Sequence, residues 1–269
     1  MARARTQTCP GCKPALVLIA LLLSAGAASV QAQAPSSPLP LSKACQIGDW
    51  TVATDHPLPN VAAALRDGKA LRILAIGASA VRRGKGSYVH EIEKLLEQAN
   101  KGLDVVVVNR GVSGELAADA AVRIKSEVAL ADPNLLLWQV GTNDALAYVP
   151  LNRLEATVTD TVRWLKSHKV DVVLVGLQFV QPMAQDEHYK AVRDLLRKIA
   201  AQENVVIIRR YEAMEFIAQA ERANTDSLPD ELQQMEGGYE CLAQYVARAI
   251  TLGVFGKSLK ERVQQPAPK

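Results

Sequence analysis

Between residues 71 and 252 the chain alternates short, almost unbroken apolar runs with longer stretches of helical periodicity. Runs at 71–77, 103–109, 135–140, 170–176 and 205–209 have the length of strands. They carry no polar alternation, the pattern of strands buried on both faces in a parallel sheet. Between them, apolar residues recur at helical spacing. Val89, Ile92, Leu95 and Leu96 do so in 87–100, and Leu154, Val158, Val162 and Leu165 in 151–168. The spacing predicts further helices over 115–131, 186–202, 211–223 and 239–252, the first of them stopped by Asp132-Pro133. Regular βα alternation predicts an α/β three-layer sandwich: a five-stranded parallel sheet with right-handed crossovers and helices on both faces.

The two ends of the chain read differently. Arg3, Arg5 and Lys13 precede an uncharged apolar stretch from Ala15 to Val30, and Ala32-Gln33-Ala34 follows as a small-x-small site. This is the pattern of a secretory signal over residues 1–34. The alternative is a retained anchor, but sixteen apolar or small residues fall short of the ~20 that span a bilayer. Cys9-Pro10-Gly11-Cys12 resembles a redox dithiol but precedes that stretch and would leave with it. The remaining chain divides into an N-terminal arm at 35–58, a domain at 59–256 and a flexible tail at 257–269.

Processing changes the charge picture. The 31 basic and 28 acidic residues become 28 of each once Arg3, Arg5 and Lys13 are removed. That balance argues against a nucleic-acid partner, which favours a strongly basic face. Cys45 and Cys241 then remain, one near each end of the folded part, and in an exported chain they predict one disulfide; two buried thiols are the alternative.

Ligands of open α/β sheets bind past the carboxyl ends of the strands. Three loops there carry small or amide residues: Gly77-Ala78-Ser79, the segment from Asn109 to Glu115, and Gly141-Thr142-Asn143-Asp144. Each taken alone is explained by turn and capping chemistry. Together they could also place a nucleophile beside oxyanion donors.

These three blocks, in this order and spacing, resemble those of the SGNH, or GDSL-type, hydrolases, a family of esterases and lipases on a flavodoxin-like sheet. Gly77-Ala78-Ser79 is similar to the family's Gly-Asp-Ser with alanine in place of aspartate. The resemblance implies that Ser79 is the nucleophile. It also implies that the backbone N–H groups of Ser79 and Gly114 and the amide of Asn143 form the oxyanion hole. The family's fourth block, Asp-x-x-His, precedes a Gly-Tyr that opens the last helix. Counting back from Gly238-Tyr239 gives Asp230 for the acid and Gln233 at the histidine position.

Glutamine cannot take a proton near neutral pH, and a serine hydroxyl is a weak nucleophile without a base. Of the other histidines, His90 falls in the helix after Ser79 and His168 at a helix end on the far rim. His188 begins a helix near the active rim, and His56 could arrive only if the arm folds over the site. None has companions spaced as metal ligands, so neither a metal nor a cofactor is expected. Arg82, Arg83 and Lys85 follow Ser79 closely and are either a solvated loop or an attractor of an anionic substrate. The resemblance implies an exported ester hydrolase acting on a small-molecule, lipid or glycan ester, weakened by the missing base. The alternative is a non-catalytic protein of the same fold that binds an acylated ligand, a glycan or a protein.

Overall fold

The computed structural model describes residues 39–47, 53, 56–77, 88–224 and 231–264, with 221–224, 231–237 and 257–264 described by backbone alone. Strands β1 (Leu71–Ile76), β2 (Val105–Asn109), β3 (Leu135–Gln139), β4 (Asp171–Val175) and β5 (Val206–Ile208) form one sheet in the order β2-β1-β3-β4-β5. Every pairing is parallel, with Ile73 opposite both Val107 and Leu135. The helices are α1 (Pro59–Arg66), α2 (Tyr88–Ala99), α3 (Ala117–Ala131), α4 (Thr142–Leu146), α5 (Leu151–Ser167), α6 (Glu187–Glu203), α7 (Arg210–Asn224) and α8 (Glu231–Gln264).

Side chains that alternate along β1 divide the core into two layers. Leu71, Ile73 and Ala75 pack with Val89, Ile92, Val246 and Ile250 of α2 and α8. Leu74 and Ile76 pack with Ile124, Val158, Val162 and Val192 of α3, α5 and α6. The expected three layers and five parallel strands are therefore present.

Three helical features depart from the periodicity. Helices α1 and α4 are additional, at eight and five residues. Helix α8 begins at Glu231, eight residues before the expected start, and runs to Gln264, into the segment whose composition suggests a tail. Strand β2 also differs from the buried-strand reading, because it is an edge strand and Val106 is 36% exposed. Its backbone amides at Val105 and Val107 donate to the carboxylates of Glu97 and Glu93 on α2, each at 3.3 Å. Those carboxylates occupy donors that another strand would otherwise pair. At the opposite edge Ala53 of the arm bridges antiparallel to Ile208.

The arm is also fixed covalently. Cys45 and Cys241 form a disulfide, as the cysteine count predicts. Beside it the Tyr245 hydroxyl donates to the Cys45 carbonyl at 2.8 Å.

Candidate active site

Two glycines bring the first and third loops to the carboxyl end of the sheet. Gly77 follows β1 with φ +120°, and a Cβ there would stand 2.3 Å from the Gln139 carbonyl oxygen. Gly141 follows β3 with φ +101°, and its Cβ would collide with Leu177 and Leu196. Both the backbone conformation and the close approach exclude a side chain.

Side chains of the third loop then fasten its neighbours. Asn143 Nδ2 donates to the Glu115 carbonyl at 2.9 Å, so this amide touches the residue next to Gly114. Asp144 Oδ1 accepts from the Ala117 amide at 2.9 Å and caps the start of α3. Asp144 is buried, and burial raises its carboxyl above the usual range despite the backbone amides that oppose the shift. On the other flank, Thr142 Oγ1 accepts from the Gln178 amide at 3.0 Å, and the Tyr189 hydroxyl donates to the Gln178 carbonyl at 2.7 Å.

The second loop is braced from below. Asn109 Oδ1 accepts from the Gly111 amide at 3.0 Å, closing a turn. Arg123 donates to both oxygens of Glu115 at 2.9 Å and to the Arg110 carbonyl at 2.8 Å. Gly114 sits in this braced turn at φ +75°, exposed, with open space where a Cβ would be. Here only the backbone angle requires glycine. The second N–H of Asn143 has no partner among the described residues. A crevice of ≈ 10 Å³, room for about one water, lies between Gly77, Glu115, Asn143 and Asp144.

Gly114 and Asn143 thus come together at the end of the strand that leads to Ser79. Ser79, Asp230, the Gln233 side chain and the basic residues Arg82, Arg83 and Lys85 lie outside the described residues. The backbone of Gln233 falls in the first turn of α8. Gly238-Tyr239, expected at the opening of that helix, lies inside it. The Tyr239 ring stacks on Tyr88 with 6.1 Å between centroids, joining α8 to the start of α2. Arg210 is buried beneath, 5.5 Å from the Tyr239 ring centre; burial lowers its guanidinium and raises the Tyr88 phenol.

The histidines divide by position. His56 precedes Leu58, whose amide donates to the Gly253 carbonyl, and Asn60, which binds Asp171 at the start of β4. This part of the arm is therefore docked at the amino ends of the strands, away from the site. His90 is exposed on α2, and His168 stacks on Trp164 at the end of α5. His188 is on the active rim, stacked on Tyr148 at 5.0 Å, but its Nε2 is enclosed and without a hydrogen-bond partner. Among the described residues no group of three or more potential metal ligands occurs.

Comparison with known proteins places this arrangement. The model of the non-GDSL lipase-like family matches residues 44–255, most of the chain. The chain belongs to that family. Esterase TesA of Pseudomonas aeruginosa is 26% identical over 110 residues, which are 41% of this chain and 54% of TesA; the match thus spans about half the length of that relative. Among solved structures, Axe2, an acetylxylan esterase from Geobacillus stearothermophilus, aligns over 67% of this chain and 94% of its own, at 20% identity and a TM-score of 0.53. LAE5, an alpha/beta hydrolase from the metagenome of Lake Arreo, aligns over 68% and 97%, at 18% identity and a TM-score of 0.53. At these identities the structural likeness shows the fold, and the fold is that of the SGNH-type hydrolases.

Asp144, Thr142 and Arg123 are the participants that sequence reasoning leaves out of the site. Asp144 stands in the quoted third block, but nothing in the spacing shows that it caps a helix 27 residues earlier.

Proposed function

We propose that this member of the non-GDSL lipase-like family is an exported ester hydrolase with Ser79 as its nucleophile. Ser79 Oγ attacks the ester carbonyl, and the developing oxyanion is received by the N–H groups of Ser79 and Gly114 and by the free N–H of Asn143. Collapse of the tetrahedral species expels the alcohol, and water then releases the acid. The observation that carries this reading is the Asn143–Glu115 bond, which sets an amide donor beside the Gly114 turn. It lies at the end of β1, whose last residue, Ile76, precedes Ser79 by three. TesA and Axe2 are both described as esterases, which favours the same chemistry here.

Proton transfer is the weak half of this site. Gln233 occupies the position of the general base, and the histidine nearest in the fold to the active rim, His188, has an enclosed Nε2. Loss of a positioned base costs about 100- to 10,000-fold, so slow turnover supported by the oxyanion hole is expected. Asp230 would remain as the acid beside Gln233. Export agrees with the Cys45–Cys241 disulfide, since such bonds persist in oxidising compartments. No helix among the described residues is long and apolar enough to cross a membrane.

The glutamine also favours a second reading, a binding protein that keeps the oxyanion pocket without turnover. A serine-reactive phosphonate separates the two. Labelling and slow ester hydrolysis that disappear together in Ser79→Ala support the hydrolase. A wild-type protein with neither, in which Gln233→His gains hydrolysis, supports the binding protein with an eroded site.

A further inference from the structure

Helix α4 ends in a turn that normally calls for glycine. The Tyr148 amide donates to the Ala145 carbonyl at 3.1 Å and the Val149 amide to the Asp144 carbonyl at 2.9 Å, and between them Tyr148 takes φ +52°. Glycine occupies this position without steric cost, whereas a residue with a Cβ does not. The other described non-glycine residues at positive φ are Asp132, Lys169 and Asn204, each just beyond a helix end. Tyr148 is the aromatic one of the set.

Its ring is both exposed and fixed, an unusual pairing. Tyr148 is 58% exposed, so the ring contributes little burial to folding. Its hydroxyl nevertheless donates to Asp186 Oδ2 at 2.5 Å, and its ring stacks on His188 with an interplanar angle of 18°. Asp186 is itself held, accepting from the Tyr189 amide at 2.7 Å as the cap of α6. One ring face is therefore backed by His188 while most of the side chain meets solvent. The position follows Asn143 by five residues, just past the end of α4, on the same rim. Leu146, 47% exposed, adds apolar surface beside it.

We infer that Tyr148 is a specificity-determining residue whose fixed ring face receives a flat ring on the alcohol side of the substrate ester. A pyranose or an aryl alcohol offers such a face, and either would stack on tyrosine without altering the reacting atoms. The inference rests on the ester-hydrolase reading for the group that carries the ring. The positive φ alone is shared by exposed Asp132, Lys169 and Asn204 at other helix ends; what sets Tyr148 apart is an exposed aromatic face held by Asp186 and His188 on the rim of the site.

The test is Tyr148→Gly, with Tyr148→Phe beside it. Backbone relief at φ +52° predicts that Tyr148→Gly melts at or up to about 4 °C above wild type. Over the same substitution, the ratio of kcat/KM for a ring-bearing acetate to that for propyl acetate falls about 3- to 10-fold. Benzyl acetate and an acetylated methyl glucopyranoside tell the aryl from the sugar source. Tyr148→Phe keeps the ring and most of the ratio. A lowered melting temperature with an unchanged ratio makes Tyr148 a structural cap and overturns the inference, as does a raised one with an unchanged ratio. If wild type hydrolyses no ester, benzyl alcohol and methyl glucopyranoside titrations followed by the backbone amide resonances of Val149 and His188, present in both proteins, still decide. Shifts absent from Tyr148→Gly keep the ring site while the hydrolase reading fails, and no shifts with either probe reject the ring site.

Discussion

Asp171 and Asp144 are both buried aspartates that fasten a helix start to the sheet, one at each end of the strands. At the amino end Asp171 accepts from the Asn60 amide and side chain and from the Val61 amide, at 2.7–2.9 Å, and so fixes α1. Nearby, Arg72 donates twice to the Ala131 carbonyl and its own amide donates to Asn134. These polar groups of the amino rim are consumed by one another. At the carboxyl end Asp144 fixes α3 by the same device, yet beside it Asn143 uses only one N–H among the described residues and Gly114 holds an exposed left-handed turn. The difference separates polar residues that close a structure from polar residues that leave donors available.

Breaking the carboxyl rim has the larger expected effect on rate. Asn143→Ala removes the proposed oxyanion donor and is expected to lower kcat about 100- to 1000-fold. The lost bond to Glu115 costs only about 1 kcal/mol of stability, so the melting temperature should move little. Asp171→Ala is the counterpart. It orphans the buried Val61 amide and the part-buried Asn60 amide and side chain, and should cost about 2–4 kcal/mol in denaturant unfolding. The kcat of the folded fraction should stay at the wild-type value. Equal losses of kcat in the two variants would abolish the division between the rims.

The sheet was legible because buried parallel strands announce themselves as unbroken apolar runs: β3, β4 and β5 are buried throughout and β1 at every position but Arg72. The exception, β2, shows the limit of that signal. Its valines are strand formers whatever they face, and only Glu93 and Glu97 reveal that an edge needed blocking. Helix α4 is five residues long, too short for periodicity to register, and it carries the site's central asparagine. Gly237-Gly238 reads as a boundary, but α8 continues through it: glycine lowers helix propensity by about 1 kcal/mol per residue, which packing can override. The meeting of the second and third loops was legible through the order of three loops rather than through any one of them. The Tyr148 ring was not, since its backbone conformation and its bond to Asp186 have no local signature.

The smallest expected effect concerns proton linkage at the same pair. Desolvation raises both carboxyls, Asp144 and Asp171, against the hydrogen bonds that lower them. A raised folded-state value means that the folded protein binds the proton more tightly than the unfolded chain, whose aspartates titrate near 3.9. The stabilising contribution of each group is therefore complete below about pH 4 and lost as pH rises through the folded value. In Asp144→Asn that loss is removed at one site. Its melting temperature minus that of wild type should increase as pH rises from about 4 towards neutrality. The fit of the new amide adds an offset independent of pH, so the slope is the measurement that counts. A difference that falls with rising pH would mean that the capping bond from Ala117 outweighs burial. Asp144 would then match an exposed helix cap rather than the buried brace that holds the second and third loops together.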